Sequence, residues 1–181
     1  MTDVIEQMTI EHIPLVCDFN VIDEEGIDYF KNYLMTQALR DQEDGYANVQ
    51  VLVREEDNGQ KKLLGFYAIR CSSLIIDNTE NGERLGEPAI EILELAVHKD
   101  FQRQGIGSNL MKHIFNKAKV LNDQHIGVRH VLVCAKSTAV PFYEKLHMKT
   151  LPYGRKIPRN VDNQDCIGMS VRLAYPTETG M

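Results

Sequence analysis

Two glycines placed at the mouth of a helix constrain this chain more than any other feature. Residues 90–114 read I-E-I-L-E-L-A-V-H-K-D-F-Q-R-Q-G-I-G-S-N-L-M-K-H-I. The first eight residues, Ile90 to Val97, are apolar enough for a buried strand. The chain then turns at Gly105 and Gly107 and opens a helix over 107–121, with Leu110, Ile114, Ala118 and Leu121 on one stripe. Closely spaced glycines leave backbone N–H groups unshielded, and the helix dipole favours negative charge there. A phosphate loop of the G-x-x-x-x-G-K type is excluded, because no Lys follows Gly107. A dinucleotide fingerprint is excluded as well, because its third Gly would fall on Leu110. What remains is an anion site of another kind or a plain tight turn.

The rest of the chain reads as one domain over 1–181, with its last eight residues (A-Y-P-T-E-T-G-M) a frayed tail. Val49, Val51 and Val53 share one face of a strand that ends in an E-E-D-N-G-Q turn. A second apolar run covers 63–69 and extends toward 74–76. Residues 77–88 read as a polar loop. An edge strand is expected within the first 20 residues. Ahead of the hairpin, Ile27, Phe30, Leu34, Ala38 and Leu39 recur at helical spacing after a helix entry at 23–26, and Gly45 closes that helix. Later, 131–135 is a buried strand, 137–146 a helix, and 148–151 and 166–173 two further strands. Hairpins early and strand–helix–strand units late specify a mixed sheet with helices against its faces.

Composition narrows the class. Hydrophobic residues make up 43% and charged residues 25%, which is ordinary for a globular chain. No apolar run approaches the ~20 residues of a membrane span, and acids stand where a signal peptide would be basic. A cytoplasmic protein with no membrane partner is expected. Cys17, Cys71, Cys134 and Cys166 are dispersed and read as buried small hydrophobes rather than disulfides or ligands. The six His do not cluster with acids or Cys, so no metal is expected. Charge divides unevenly along the chain: residues 1–95 carry 20 acids and 7 bases, residues 96–181 carry 6 acids and 13 bases. The basic half is the one suited to an anion.

The loop Gln102-Arg103-Gln104-Gly105-Ile106-Gly107 matches Q/R-x-x-G-x-G/A, and with L-A-V-H-K-D-F before it resembles the acetyl-coenzyme A loop of the GNAT superfamily of N-acetyltransferases. A-K-S-T-A-V-P-F-Y-E-K-L-H-M, residues 135–148, resembles that superfamily's second motif, usually ending F-Y-E-K-x-G-F. Two positions depart from it: His147 stands where Gly is usual, and Ser137 where Asn is common. Residues 28–45 followed by L-L-G-F-Y-A-I look like the branch that includes acetyltransferase toxins, some of which acetylate aminoacyl-tRNA.

The resemblance implies an α/β (mixed α+β) fold, a mostly antiparallel twisted sheet of six to seven strands flanked by helices and splayed at a cofactor cleft. It implies acetyl-coenzyme A as cofactor. Leu95, Ala96 and Val97 would meet the pantetheine arm, with the Val97 N–H as oxyanion donor. Gln102, Arg103, Gln104, Gly105, Ile106, Gly107 and Ser108 would hold the pyrophosphate, and Ser137, Phe142 and Tyr143 would complete the site. Tyr143 is the expected general acid, since a phenol of pKa about 10 can protonate a thiolate of pKa about 8.5. Glu91 is the first choice of base, with Glu94 or a water chain as alternatives. The acceptor is a primary amine on a small molecule, a peptide or an aminoacyl-tRNA, and a homodimer is left open. On charge, the acceptor is expected from the acidic N-terminal half, drawn by Asp41, Glu43 and Asp44. The competing reading is a non-catalytic module that only binds acetyl-coenzyme A.

Overall fold

The computed structural model describes residues 2–21, 29–78, 82–158 and 166–173. They divide into two compact units, residues 1–70 with 92–114 and residues 71–91 with 115–181. Eight strands and five α-helices appear among the described residues.

In the first unit, β1 (Thr2–Gln7) is the expected edge strand, antiparallel to β2 (Asn48–Glu55) from Thr2 opposite Glu55 to Gln7 opposite Gln50. Next come β3 (Lys61–Asn78), antiparallel to β2, and β4 (Glu83–Val97). Val49, Val51 and Val53 do share a face. They pack with Phe66, Ala68 and Ala96 beneath α1 (Ile13–Val16), α2 (Tyr29–Thr36) and α3 (Ala38–Glu43). The opposite face of β2 is buried too, at Gln50 and Leu52. On that side Tyr67 donates or accepts a 2.9 Å hydrogen bond with His113 of α4 (Ile106–Gln124), whose Leu110, Met111 and Ile114 are fully buried. Burial raises the pKa of the Tyr67 hydroxyl.

A register shift between Leu52 and Val53 makes Gly65 face Leu52 while Leu63 faces Val53. Leu64 is therefore the extra residue of a bulge, and its carbonyl accepts the His98 N–H at 2.8 Å. Gly65 has to be glycine. A Cβ there would lie 2.8 Å from the Ala96 carbonyl oxygen and 3.1 Å from Leu110 Cδ1.

In the second unit, β5 (His130–Lys136) runs antiparallel to β8 (Cys166–Arg172), which also pairs antiparallel with β6 (Lys149–Thr150). Strand β7 (Arg155–Lys156) pairs with Ile75 and Ile76 of β3. Leu74, Ala89 and Leu132 form a small core with Leu151 and Ile157. Helix α5 (Val140–Glu144) follows β5 through a short turn, Ser137–Ala139.

Several expectations are corrected. The helix expected over 27–45 is two helices broken at Gln37, whose φ of −120° is not helical. The polar loop expected over 77–88 is mostly strand, since β3 runs to Asn78 and β4 begins at Glu83. An exposed two-stranded stretch needs no apolar pattern, so sequence periodicity does not mark it. Cys134 and Cys166 are disulfide-bonded, Cα atoms 5.3 Å apart, while Cys17 and Cys71 are exposed. The antiparallel register, with Cys134 opposite Gly168, sets the two sulfurs in reach across the strands. The helix entry at 23–26 and the tail at 174–181 lie outside the described residues.

Candidate functional site

The first unit builds the loop from three local restraints. At the end of β4 the Gln102 side-chain amide donates to the Val97 carbonyl at 3.1 Å, tying the turn back to the strand. The Gln104 amide donates to the Asp100 carbonyl at 2.9 Å. His98 anchors the approach, with Nε2 donating to the Asp18 carbonyl at 2.8 Å and Nδ1 accepting the Asp100 N–H at 3.2 Å. These contacts set which ring nitrogen donates and which accepts.

Within the turn, Arg103 and Gly105 both take the left-handed region, with φ of 60° and 84°. Left-handed residues within a turn swing neighbouring N–H groups toward one side, which is how an anion-binding concavity is built. Helix α4 begins at Ile106, one residue before the expected start, and its first intrahelical bond is Asn109 N–H to the Gly105 carbonyl at 3.0 Å. The N–H groups of Ile106, Gly107 and Ser108 precede that bond and have no acceptor one turn back. A Cβ at Gly105 would meet nothing within 4 Å, so the space outside the turn is open. Leu95, Ala96, Val97 and residues 102–108 are thus brought together. The arrangement suits a multiply charged anion such as a pyrophosphate, which is the fit required of coenzyme A.

The second unit holds the other expected residues. Glu91 is fully buried on β4. Ser137 is exposed at the turn after β5. Tyr143 is buried on α5, with the Phe142 ring edge-on to it at 5.0 Å between centroids. The helix ends in a left-handed residue, His147 with φ of 64°, at the position where Gly was expected. His147 N–H reaches the Glu144 carbonyl at 2.9 Å and Met148 N–H the Tyr143 carbonyl at 3.1 Å. This is a Schellman closure, which a histidine forms only by accepting the strain. Among the described residues no group of three or more His, Cys, Asp or Glu side chains is arranged to hold a metal. No described helix is long and apolar enough to cross a membrane.

Two sets of contacts escaped the sequence reading. Asp41 does not face solvent to draw an amine; it is buried and accepts from the Tyr33 hydroxyl at 3.0 Å and the Gln37 amide at 2.8 Å. Glu94 instead accepts the Tyr29 hydroxyl at 2.7 Å. The pKa of the Tyr33 hydroxyl is raised, first by burial and then by the Asp41 carboxylate. The i,i+4 spacing of Gln37 and Asp41 was the only available signal for the first group, and nothing local marks the second.

A family model described as an acetyltransferase (GNAT) domain matches residues 19–151. No curated protein matches the sequence. Among solved structures, a mutant of the toxin AtaT is 18% identical, with 92% of this chain and 88% of that chain covered at a TM-score of 0.71. A mutant of KacT is 17% identical over 93% and 94%, with a TM-score of 0.69. AtaT complexed with acetyl-methionyl-tRNAfMet is 18% identical over 92% and 94%, with a TM-score of 0.68. At such identities the likeness is one of fold, and it bears out the mixed, mostly antiparallel sheet flanked by helices.

Proposed function

This chain belongs to the GNAT acetyltransferase family, and from that premise we propose an acetyl-coenzyme A-dependent N-acetyltransferase acting on a primary amine within a ternary complex. The observation that carries the reading is the pairing of left-handed Arg103 and Gly105 at the mouth of α4. That turn lies where the family motif falls, and its N–H groups at the mouth of α4 support a phosphate site there. Acetyl-coenzyme A supplies the acetyl group as an activated thioester. The backbone of 102–108 holds its phosphates, and Leu95, Ala96, Ser137 and Phe142 orient its arm. The Val97 N–H donates to the acetyl oxygen as negative charge grows there. Glu91 accepts the proton that the amine must lose, and Tyr143 gives its hydroxyl proton to the departing sulfur.

A structure of AtaT complexed with acetyl-methionyl-tRNAfMet favours a second acceptor, the α-amine of an aminoacyl-tRNA. A cytoplasmic location and a protein partner belong to the same reading. That partner is a second copy, or an antitoxin like the AtaR whose C-terminus binds AtaT.

Calorimetry with coenzyme A tests the loop. Binding is expected to the parent and to be lost in Gly105→Glu, which sets bulk and negative charge before the cradle. Gly105→Ala controls for backbone strain at φ of 84°. Unchanged affinity in Gly105→Glu refutes the assignment. Acetyl transfer, corrected for background hydrolysis, is then measured on amines, basic peptides and charged tRNA.

A further inference from the structure

The disulfide of the second unit stands where it can act on the proposed site. The β5–β8 ladder runs from His130 opposite Arg172 to Lys136 opposite Cys166. Cys134 faces Gly168, so its bond to Cys166 runs diagonally and spans the last three pairs of the ladder. The turn Ser137–Ala139 hangs from that end, followed by α5 with Phe142 and Tyr143. Little else holds this stretch by local structure. Between the two cysteines α5 has five residues, and β6 and β7 have two each. Leu151 packs over Gly168, where a Cβ would lie 3.1 Å from Leu151 Cδ1, and it only flanks the small core of Leu74, Ala89 and Leu132. A disulfide at the end of a ladder therefore keeps the final pairs closed that would otherwise fray first. Cys134 and Cys166 are both half-buried, within reach of a small thiol. In a reducing compartment such bonds are mostly transient and redox-sensing.

We propose that the Cys134–Cys166 bond is a reversible redox switch on acetyl-coenzyme A binding. The oxidised protein holds the Ser137 turn and α5 in place; the dithiol protein lets them fray and binds the cofactor more weakly. This rests on the N-acetyltransferase reading and the cytoplasmic location above. The oxidant is a small disulfide such as glutathione disulfide. One protein thiolate attacks it, forming a mixed disulfide and releasing one glutathione thiol. The second protein thiolate attacks the mixed disulfide and releases the other. One S–S bond breaks and one forms, two electrons pass from the protein to glutathione, and the two thiol protons end on the released thiols. The reverse exchange opens the bond.

The full chain is equilibrated in glutathione buffers of graded ratio, and its thiols are counted by alkylation and mass. Oxidised protein is expected to alkylate only at Cys17 and Cys71, and reduced protein at all four cysteines. On reduction, amide hydrogen exchange at 135–139 and 166–168 is expected to quicken about 10-fold or more, with β1 and β2 unchanged. The binding probe is desulfo-coenzyme A, which has no thiol to exchange with the bond. Its affinity for the dithiol form is expected to fall about 3- to 10-fold, as when about a tenth to a third of the molecules hold the site together. Reoxidation is expected to restore it. Cys134→Ser with Cys166→Ser is expected to match the reduced parent and to ignore the buffer. Cys17→Ser with Cys71→Ser is expected to keep the full response. Should the first pair fail to fold, the two states of the parent carry the comparison. A bond that forms in no glutathione buffer overturns the inference, as does one that opens only when the whole chain unfolds. Equal desulfo-coenzyme A affinity in both states overturns it too. Failure of the acetyltransferase reading shows separately, as no binding of the probe to either state. In that case faster exchange confined to 135–139 and 166–168 still supports a switch on the turn, and unchanged exchange refutes it.

Discussion

Gly65→Ala is the substitution whose consequence follows most directly from a distance. The new Cβ would stand 2.8 Å from the Ala96 carbonyl oxygen, 3.1 Å from Leu110 Cδ1 and 3.5 Å from Val97 Cα. Two of these three neighbours are backbone, which yields only if β3 and β4 move apart. Leu110 has no exposed surface, so it cannot swing outward. Overpacking of this kind costs about 1–3 kcal/mol. Against it stands the entropy an alanine removes from the unfolded chain, about 0.4–1 kcal/mol. The net loss is about 1–2 kcal/mol, which for a chain of this size lowers Tm by about 2–8 °C. The displaced atoms belong to Ala96 and Val97, so a shift of a few tenths of an ångström reaches the proposed oxyanion donor. Positioning errors of about 1 Å cost on the order of 100-fold in rate, so a several-fold fall in kcat/KM is expected. Thermal unfolding by circular dichroism, with and without coenzyme A, reads the first effect and acetyl transfer the second. Gly127→Ala is the control, since its Cβ would meet nothing within 4 Å. A Gly65→Ala protein that melts within about 1 °C of the parent refutes the packing argument.

Three further outcomes are expected. Tyr143→Phe removes one hydroxyl, so Tm and coenzyme A affinity are to stay close to the parent while kcat falls about 100-fold; an unchanged kcat makes Tyr143 a packing residue. His147→Gly relieves a left-handed φ of 64° at an exposed helix end and is to stabilise the chain by up to about 1 kcal/mol in urea unfolding; destabilisation would mean that the imidazole has a contact of its own. The Arg54 guanidinium donates to Asp3 at 2.6 and 2.8 Å and holds that carboxyl below its ordinary pKa. Because the folded pKa is the lower one, this pair contributes above the unfolded pKa near 4 and its contribution is lost as pH falls through the folded value. Asp3→Asn is therefore to lower stability by less than about 1 kcal/mol at pH 7 and to flatten the acid limb of the pH–stability curve; an unchanged acid limb refutes the linkage.

The sequence by itself determined the parts whose physics is local. Glycine spacing, a helical apolar stripe and a strand before them are all contained within residues 90–114. They specify the loop, the start of α4 to within one residue, and the kind of ligand its N–H groups suit. The left-handed helix end at position 147 was legible for the same reason, because the closing turn involves only its neighbours. The length of β3 and β4 was not legible, since exposed paired backbone places no demand on side-chain polarity. The role of Asp41 depended on Tyr33 and Gln37 folding over it, which turned an expected attractor into a buried acceptor. Only tertiary structure paired Cys134 with Cys166, which are 32 residues apart, or Tyr29 with Glu94, which are 65 apart. A contact across such a separation is set by the register of strands and the packing of a helix on them. Neither leaves a periodic trace in the residues that meet.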